Sequence, residues 1–333
     1  MILTIVLFFA SAGAIYLACE FFVNGVEWLG KRLNLTATAT GTVLAAFGTA
    51  LPESAVTFVA VVFGRTAQDR DLGVGAAVGG PLVLSTIAYA VVGIGLLANH
   101  RRLPRSSPKI PIDQRRLSRD QGWFLAIFAC TAALGLVSFA LKPWLAFVFV
   151  LAYGFYVWHE LRGGATAPEE DELQPLKLRP RTAEPPLVWA LAQTVGALAV
   201  IALGSRLFVS QLAHLGAAFG MAPHVVALLL SPVATELPET LNALIWVRQG
   251  KERLALANIS GAMMIQATVP SALGLYFTPW RFDGPLLAAG VVSLLAVIAL
   301  WTVFRRGAMT GRTLACVGLF YLVFAAYVIW HFH

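Results

Sequence analysis

The sequence predicts an all-α, polytopic membrane protein, and three observations support that prediction. Of its 333 residues, 58% are hydrophobic and only 12% are charged, whereas a soluble domain carries about 25% charged residues. The mean hydropathy is +0.75. Apolar runs of about 20 residues, each long enough to cross a bilayer core, recur from end to end. Because these runs are continuously apolar, helices are favoured over the alternating strands of a barrel.

Ten such runs predict about ten transmembrane helices. In chain order they cover residues 2–24, 37–63, 72–98, 122–141, 143–161, 187–211, 223–247, 254–277, 284–304 and 313–332. A longer polar segment, 162–186, joins the first five to the last five and predicts a cytoplasmic linker with no domain of its own. The chain is therefore divided into a first five-helix repeat (1–161), this linker, and a second five-helix repeat (187–333).

The basic residues predict the orientation of the helices. Although the net charge is +7, 19 of the 24 Lys and Arg residues fall in one alternating set of loops. By the positive-inside rule that set faces the cytoplasm, so both termini lie outside. The charge is thus explained by insertion into a lipid bilayer, and no nucleic-acid partner is expected. We expect a multi-pass protein of the inner (plasma) membrane, and the sequence indicates no particular protein partner.

The two halves of the chain repeat each other. Shifting the sequence by 186 residues matches 22–64 to 208–250 without a gap. The strongest agreement is between "GTALPE" at 48–53 and "ATELPE" at 234–239. Since five helices, an odd number, separate equivalent positions, the two copies cross the membrane in opposite directions. Inverted repeats of this kind are typical of secondary transporters, whose sites lie near the midplane between interrupted helices.

The prolines of the two motifs are expected to free backbone oxygens. A proline inside a helix leaves the carbonyl four residues earlier without its donor. Pro52 would free the carbonyl of Gly48, and Pro238 would free that of Ala234. Such carbonyls are tolerated inside a bilayer only where another group satisfies them.

A carboxylate follows each proline, and a threonine precedes it by one helical turn. We expect Glu53, Glu239, Thr49 and Thr235 to join the freed carbonyls in a cage of oxygen ligands. Oxygen-only ligation suits hard cations such as Ca²⁺, which takes 6–8 oxygens, and ionisable groups inside the membrane are functional by default. The ion would be cargo, and no cofactor is expected. The competing interpretation is that each proline only kinks its helix and each glutamate only caps a neighbour.

These residues resemble those of the sodium/calcium exchanger family, also called the cation/calcium antiporter superfamily. Its motif G-T-S-L-P-E is similar to residues 48–53 and, more loosely, to residues 234–239. Its G-N-x-x-G-S-N-x-x-N pattern is similar to "GAAVGGPLVL" at 75–84 and "ANISGAMMIQ" at 257–266. The resemblance implies an antiporter of ten helices in two inverted repeats. It also implies that Glu53 and Glu239 are the central Ca²⁺ ligands, assisted by Thr49 and Thr235.

Several positions depart from the family's pattern, and most of them lose an oxygen ligand. They are, in the first copy, Ala50, Ala76, Gly80 and Leu84, and in the second copy, Glu236, Ala262 and Gln266. Gln266 stands where the family has an Asn or Asp, and it stays a candidate ligand. Because sodium needs the lost oxygens, the departures argue against three-for-one sodium exchange.

Glu236 adds a third carboxylate, three residues before Glu239, so in a helix the two share a face. Three carboxylates would carry −3 against a +2 ion. Burial and like-charge repulsion raise the pKa of a carboxylic acid, so at least one should hold a proton during part of the cycle. The alternative, that Glu236 points into a solvated vestibule, is left open at this stage.

We therefore expect a secondary active antiporter that exchanges a divalent cation, Ca²⁺, against H⁺ or Na⁺ by alternating access. A monovalent cation/proton antiporter, a channel, and a transport-impaired cation-binding relative are the alternatives. An intramembrane enzyme is disfavoured, because the sequence has no nucleophile–base pair, no cluster of metal-binding histidines and no nucleotide loop.

Overall fold

A computed structural model of the chain describes residues 2–63, 67–99, 113–162, 173–220 and 229–332. Within these ranges every regular element is a helix, which confirms the all-α prediction. Grouping contiguous turns gives helices α1 (Ile2–Arg32), α2 (37–63), α3 (67–98), α4 (Gln114–Leu134), α5 (Lys142–Arg162), α6 (Leu187–Ala218), α7 (229–248), α8 (Glu252–Phe277), α9 (Gly284–Arg305) and α10 (Gly311–Phe332).

Six helices in the described part of the chain are long and apolar enough to cross a membrane. They are α1, the segment Gly73–Ala98 of α3, α5, α6, α9 and α10. The motif helices α2 and α7 are not among these six. The chain is therefore an integral membrane protein, while ten crossings and the division at 161/162 and 186/187 stay predictions.

Several helices extend beyond the apolar runs that predicted them, and α1 and α4 do so by the largest margins. α1 continues to Arg32, eight residues past the predicted end at residue 24. α4 begins at Gln114 instead of residue 122, because the Asp113 side chain caps it by accepting from the backbone N–H groups of Arg115 (3.0 Å) and Arg116 (3.3 Å). An apolar window detects only the apolar part of a helix, whereas caps and polar turns determine where the helix ends.

α8 is the central helix of the fold. It packs against α2, α3, α4, α5 and α7 and is buried along most of its length. Small residues allow this close approach: a Cβ built on Gly261 would lie 2.4 Å from the Thr42 carbonyl oxygen, and one on Gly41 would lie 2.8 Å from the Ala257 Cβ. Such glycine contacts are how helices approach one another within a bilayer.

Three helices that meet α8 are irregular. α2 contains a π-helical stretch, Thr40–Ala45, and α3 contains another, Leu84–Ala88. π-helical turns occur frequently at functional sites. α7 is interrupted at Glu236, between the segments Ser231–Thr235 and Leu237–Arg248. The irregular stretches of α2, α3 and α7 belong to helices that pack against α8, where protein rather than lipid can surround them.

α1 and α6 lie side by side and form the most extensive helix pair. A Cβ on Gly25 would lie 2.5 Å from Thr194 Oγ1, and one on Gly204 would lie 2.9 Å from Ile15 Cγ1. These two helices therefore touch through glycines near both ends of their contact.

The end of the linker, residues 173–186, packs onto this helix pair. Leu176 is fully buried there. Asn24 of α1 accepts a hydrogen bond from the Lys177 backbone N–H (3.0 Å) and donates to the Gln174 carbonyl (3.3 Å). The linker was predicted only as a polar connection, but residues 173–186 are a strap, a name we keep for this segment.

Candidate functional site

The second motif forms a break in α7. Glu236 has φ −85° and ψ 6°, which ends one short helix and precedes the next. Pro238 lies in the first turn of the segment Leu237–Arg248, where its missing N–H costs no helical hydrogen bond. Glu239 follows in the same turn, where the partial positive charge of a helix N-terminus favours a carboxylate. The sequence thus produces an interrupted helix with one acid at the interruption and a second acid in the first turn after it.

Glu236 and Glu239 are both buried, with 0% and 1% of their surfaces exposed. Glu236 lies at the break instead of within one continuous helix, but its carbonyl still accepts from the Thr240 N–H at 3.1 Å. The two carboxylates therefore lie within one turn of chain of each other, while the prediction that they share a helix face stays a prediction. The burial of Glu236 does not match a side chain that extends into a solvated vestibule.

Gln266 of α8 contacts Glu236 directly. Its Nε2 donates to Glu236 Oε1 at 2.5 Å, and Gln266 is itself 1% exposed. A Cβ built on Gly80 of α3 would lie 2.2 Å from Gln266 Oε1 and 2.9 Å from Glu236 Oε1. Gly80 therefore leaves the space that these two side chains fill. Three helices, α3, α7 and α8, meet at this contact, and the sequence alone did not pair these residues.

The two motif threonines hold their hydroxyls against their own helices. Thr49 Oγ1 donates to the Ala45 carbonyl at 3.1 Å, and Thr235 Oγ1 donates to the Pro232 carbonyl at 3.1 Å. A hydroxyl that donates in this way keeps lone pairs with which it can bind a cation. Ala234, whose carbonyl oxygen is the predicted backbone ligand of the second motif, is buried at 2% exposure.

The first motif lies in α2, whose segment Ala46–Phe63 is a continuous helix through Pro52. The expected interruption is therefore present in α7 but not at the corresponding point of α2, where the π-helical stretch comes earlier. Gly48 is buried, and a Cβ there would lie 3.1 Å from the Phe22 ring. The Glu53 side chain lies outside the described part of the structure, so its convergence with Glu239 stays a prediction.

Two asparagines extend the polar surroundings of Glu239. Asn258 Nδ2 donates to the Glu239 carbonyl at 3.4 Å, and Asn258 is fully buried. Asn242, also fully buried, lies one helical turn after Glu239. Asn258 was noted in the sequence as a retained family position. Asn242 was missed, although a polar residue three positions after an intramembrane acid was a usable signal.

The residues around the break in α7 offer oxygen ligands. In the described ranges, no three His, Cys, Asp or Glu side chains form a group suited to a metal. Cation binding by these residues would rest on two carboxylates together with amide, hydroxyl and backbone oxygens. That donor set fits a hard cation of the Ca²⁺ type better than a metal that prefers nitrogen or sulfur.

Three relatives match the chain over half of its length or more. The chain is similar to CaxA of Alkalimonas amylolytica, at 26% identity over 92% of this chain and 93% of the relative. It is also similar to the inner membrane protein YrbG of Escherichia coli strain K12, at 23% identity over 99% of this chain and 96% of the relative. Cation/calcium exchanger 2 of Arabidopsis thaliana is 28% identical over 50% of this chain.

The fold is that of a solved exchanger. A structure of the sodium-calcium exchanger NCX_Mj, soaked with Na⁺ and Sr²⁺, superposes with a TM-score of 0.76, at 18% sequence identity and over 98% of both chains. The family model described as "Sodium/calcium exchanger protein" matches residues 3–162 and 189–330. These two ranges contain both motifs. The chain therefore belongs to the sodium/calcium exchanger family.

Proposed function

We propose that the protein is a secondary active antiporter that exchanges Ca²⁺ for H⁺ across the inner (plasma) membrane. The observation that carries the proposal is the buried contact of Glu236 with Gln266, one turn from the buried Glu239. The antiporter name of CaxA and the exchanger activity named for NCX_Mj support the same class of transport.

Loss of oxygen ligands supports the choice of H⁺ over Na⁺. Ala50, Leu84 and Ala262 occupy positions where the resembling family has oxygen-bearing side chains, and each is fully buried. Hydrocarbon walls at these positions provide no oxygens for a dehydrated sodium ion, and desolvating a cation without replacement ligands is costly.

The carboxylates support proton coupling through their charge balance. If all three are ionised, Glu53, Glu236 and Glu239 carry a charge of −3. A bound +2 ion reduces the net charge of the site to −1, and its release restores −3. A buried cluster of this charge is costly unless protons bind when the cation leaves. Protonation of Glu236 on cation release would give the two ions mutually exclusive occupancy, which is the requirement for exchange.

Alternating access is assigned to the α1–α6 pair. The proposed site is built from α2, α7 and α8, at the centre of the fold, while α1 and α6 pack together beside it. Movement of this pair past the fixed site would open it to one side of the membrane and then to the other. Glu53 and Glu239 would bind the ion throughout, with Thr49, Thr235 and Gln266 and the carbonyls of Gly48 and Ala234 assisting.

A second candidate function is a cation-binding relative with impaired transport. It is favoured by the same three buried apolar residues, since they reduce the number of ligands in total and not only those for sodium. A monovalent cation/proton antiporter is the other alternative, and it predicts flux of Na⁺ or K⁺ in place of Ca²⁺.

Transport by the reconstituted protein distinguishes these three functions. Proteoliposomes are given an imposed pH gradient or a sodium gradient, and ⁴⁵Ca²⁺ uptake is followed. We expect uptake driven by the pH gradient, abolished in Glu53→Gln and Glu239→Gln, and altered in its pH dependence in Glu236→Gln. Ser293→Ala is the control, because the Ser293 hydroxyl bonds only within α9, to the Ala289 carbonyl at 2.7 Å. Flux driven by sodium alone would reject proton coupling, and binding without flux would favour the impaired relative.

A further inference from the structure

Two buried amides beside the site are incompletely hydrogen-bonded. Among the residues that the structure describes, neither Nδ2 nor Oδ1 of Asn242 has a hydrogen-bond partner, and Oδ1 of Asn258 has none. Both residues are 0% exposed. Buried polar atoms in folded proteins are nearly always paired with protein or with ordered water, so three such atoms together require an explanation.

The two amides lie at the same height along the two helices of a helical hairpin. α7 and α8 are antiparallel and joined by a tight turn at Gly250, which has φ +78°. Asn242 comes six residues before Arg248, the end of α7, and Asn258 comes six residues after Glu252, the start of α8. At 1.5 Å per residue, each lies about 9 Å from the turn. We call Asn242 and Asn258 the amide pair.

The amide pair adjoins the site on the side of the hairpin turn. Asn258 Nδ2 is 3.4 Å from the Glu239 carbonyl oxygen, and Asn242 shares a helix face with Glu239. The turn carries Arg248, Lys251 and Arg253, which the positive-inside rule assigns to the cytoplasm.

The fold does not require amides at these positions. In the internal repeat, Asn242 corresponds to Val56 and Asn258 corresponds to Ala76. The first half therefore builds the equivalent helices with two apolar side chains. An unpaired amide that the architecture can replace with a hydrocarbon group is better explained by a ligand than by packing.

We infer that the amide pair is a second binding position for the transported cation, on the cytoplasmic side of Glu239. The two carbonyl oxygens are ligands that Ca²⁺ accepts from Asn side chains. The Asn242 NH₂ group would donate to a water that the ion retains. Because the pair is neutral, it binds the ion less tightly than the carboxylates do, and the ion exchanges between water and Glu239 through it. The inference rests on the proposed function only for the identity of the ion.

The test replaces Asn242 with the residue of the other half. In oriented proteoliposomes, Asn242→Val is expected to raise the KM for ⁴⁵Ca²⁺ about tenfold on the face of the hairpin turn and to leave the KM on the opposite face unchanged. In detergent, the variant is expected to need about tenfold more Ca²⁺ for the same rise in melting temperature. Without Ca²⁺ it should melt at the wild-type temperature or above, because an unpaired buried amide has been removed. Ser293→Ala serves as the control in both assays.

The two assays separate this inference from the proposed function. Flux in the wild type with equal effects of Asn242→Val on both faces, or with none, would overturn the amide pair and leave the antiporter standing. Wild-type protein that is stabilised by Ca²⁺ but moves none, with a weaker effect of Ca²⁺ in Asn242→Val, would support the pair and overturn the antiporter. A lower melting temperature without Ca²⁺, together with unchanged KM values, would make Asn242 a packing residue and overturn the inference.

Discussion

The side chain of Gln193 on α6 donates a hydrogen bond of 2.9 Å to Asn24 Oδ1 on α1. The same Gln193 NH₂ group donates to the Phe21 carbonyl at 2.8 Å, and its Oε1 accepts from the Leu178 backbone N–H at 2.8 Å. Asn24 meanwhile accepts from the Lys177 N–H. Two buried amides thus join both helices of the α1–α6 pair to the strap, so the three segments are expected to move together.

Asn24→Ala should destabilise this connection. The substitution leaves the Lys177 N–H and one Gln193 N–H without their acceptor, and an unsatisfied buried polar group costs about 1–3 kcal/mol. We expect a lower melting temperature in detergent and faster proteolysis within residues 173–186. Transport should slow as well, because the strap then loses one of its connections to α1 and to Gln193 of α6.

Gln174→Ala is the matched control for that variant. Gln174 contributes only its backbone carbonyl, which accepts from Asn24 Nδ2 and from Trp28 Nε1 (2.9 Å). Its exposed side chain can be removed without loss of either bond, so its melting temperature should equal that of the wild type. If Gln174→Ala and Asn24→Ala lower the melting temperature equally, the Asn24 side chain is not what holds the strap.

A second buried contact joins α1 to the α7–α8 turn. Trp246 Nε1 donates to Glu27 Oε1 at 2.8 Å, and Lys251 Nζ donates to Glu27 Oε2. The Glu27 and Lys251 side chains are 5% and 14% exposed. Glu27→Gln keeps an acceptor for Trp246 but leaves the Lys251 charge without its partner. Breaking a buried pair costs about 3–5 kcal/mol, and the residual exposure of Lys251 favours the lower end.

Thermal melting of Glu27→Gln measures that loss of stability. Two further variants test whether the unpaired Lys251 charge is its cause. Glu27→Gln combined with Lys251→Met should recover part of the stability, because it removes the unpaired charge as well. Glu184→Gln breaks the exposed pair with Arg32, whose N–O distance is 3.6 Å, and should change stability by no more than about 1 kcal/mol. A double variant less stable than Glu27→Gln alone would contradict the charge argument.

Restoring lost ligands should restore a response to sodium. Ala50→Ser adds a hydroxyl that can bond to the helix carbonyl four residues earlier, as Thr49 already does. Leu84→Asn adds an amide oxygen at a second buried position. We expect the double variant to show ⁴⁵Ca²⁺ flux that depends on sodium, whereas Ala289→Ser, a hydroxyl added at a buried position of α9, should stay insensitive. Equal insensitivity of both variants would remove the ligand-loss argument for proton coupling.

The sequence predicted the features that depend on chain-local physics. Hydropathy located the helices, and the proline of the second motif indicated an interruption of α7, although not its position at Glu236. Contacts between distant residues were not predictable in this way. Nothing in the local pattern pairs Gln266 with Glu236 or docks Leu176 onto α1 and α6, because such contacts depend on how helices pack. The continuity of α2 through Pro52 was also not predicted. A helix can accommodate a proline when its backbone widens elsewhere along its length, and the residues next to the proline do not show this.

The absence of a side chain at Gly80 leaves room for the contact between Gln266 and Glu236. Gly80→Ala places a Cβ 2.2 Å from Gln266 Oε1, so it should displace the Gln266 amide from Glu236 and reduce ⁴⁵Ca²⁺ flux. Gln266→Ala removes that clash, and the double variant should therefore lose less than the sum of the single losses in a double-mutant cycle. Gly75→Ala is the control on the same helix, because no described atom lies within 4 Å of its Cβ, and Ala favours a helix by about 1 kcal/mol over Gly. Additive losses at Gly80 and Gln266 would mean that the two residues act separately, and the effect of Gly80→Ala would then not pass through Gln266.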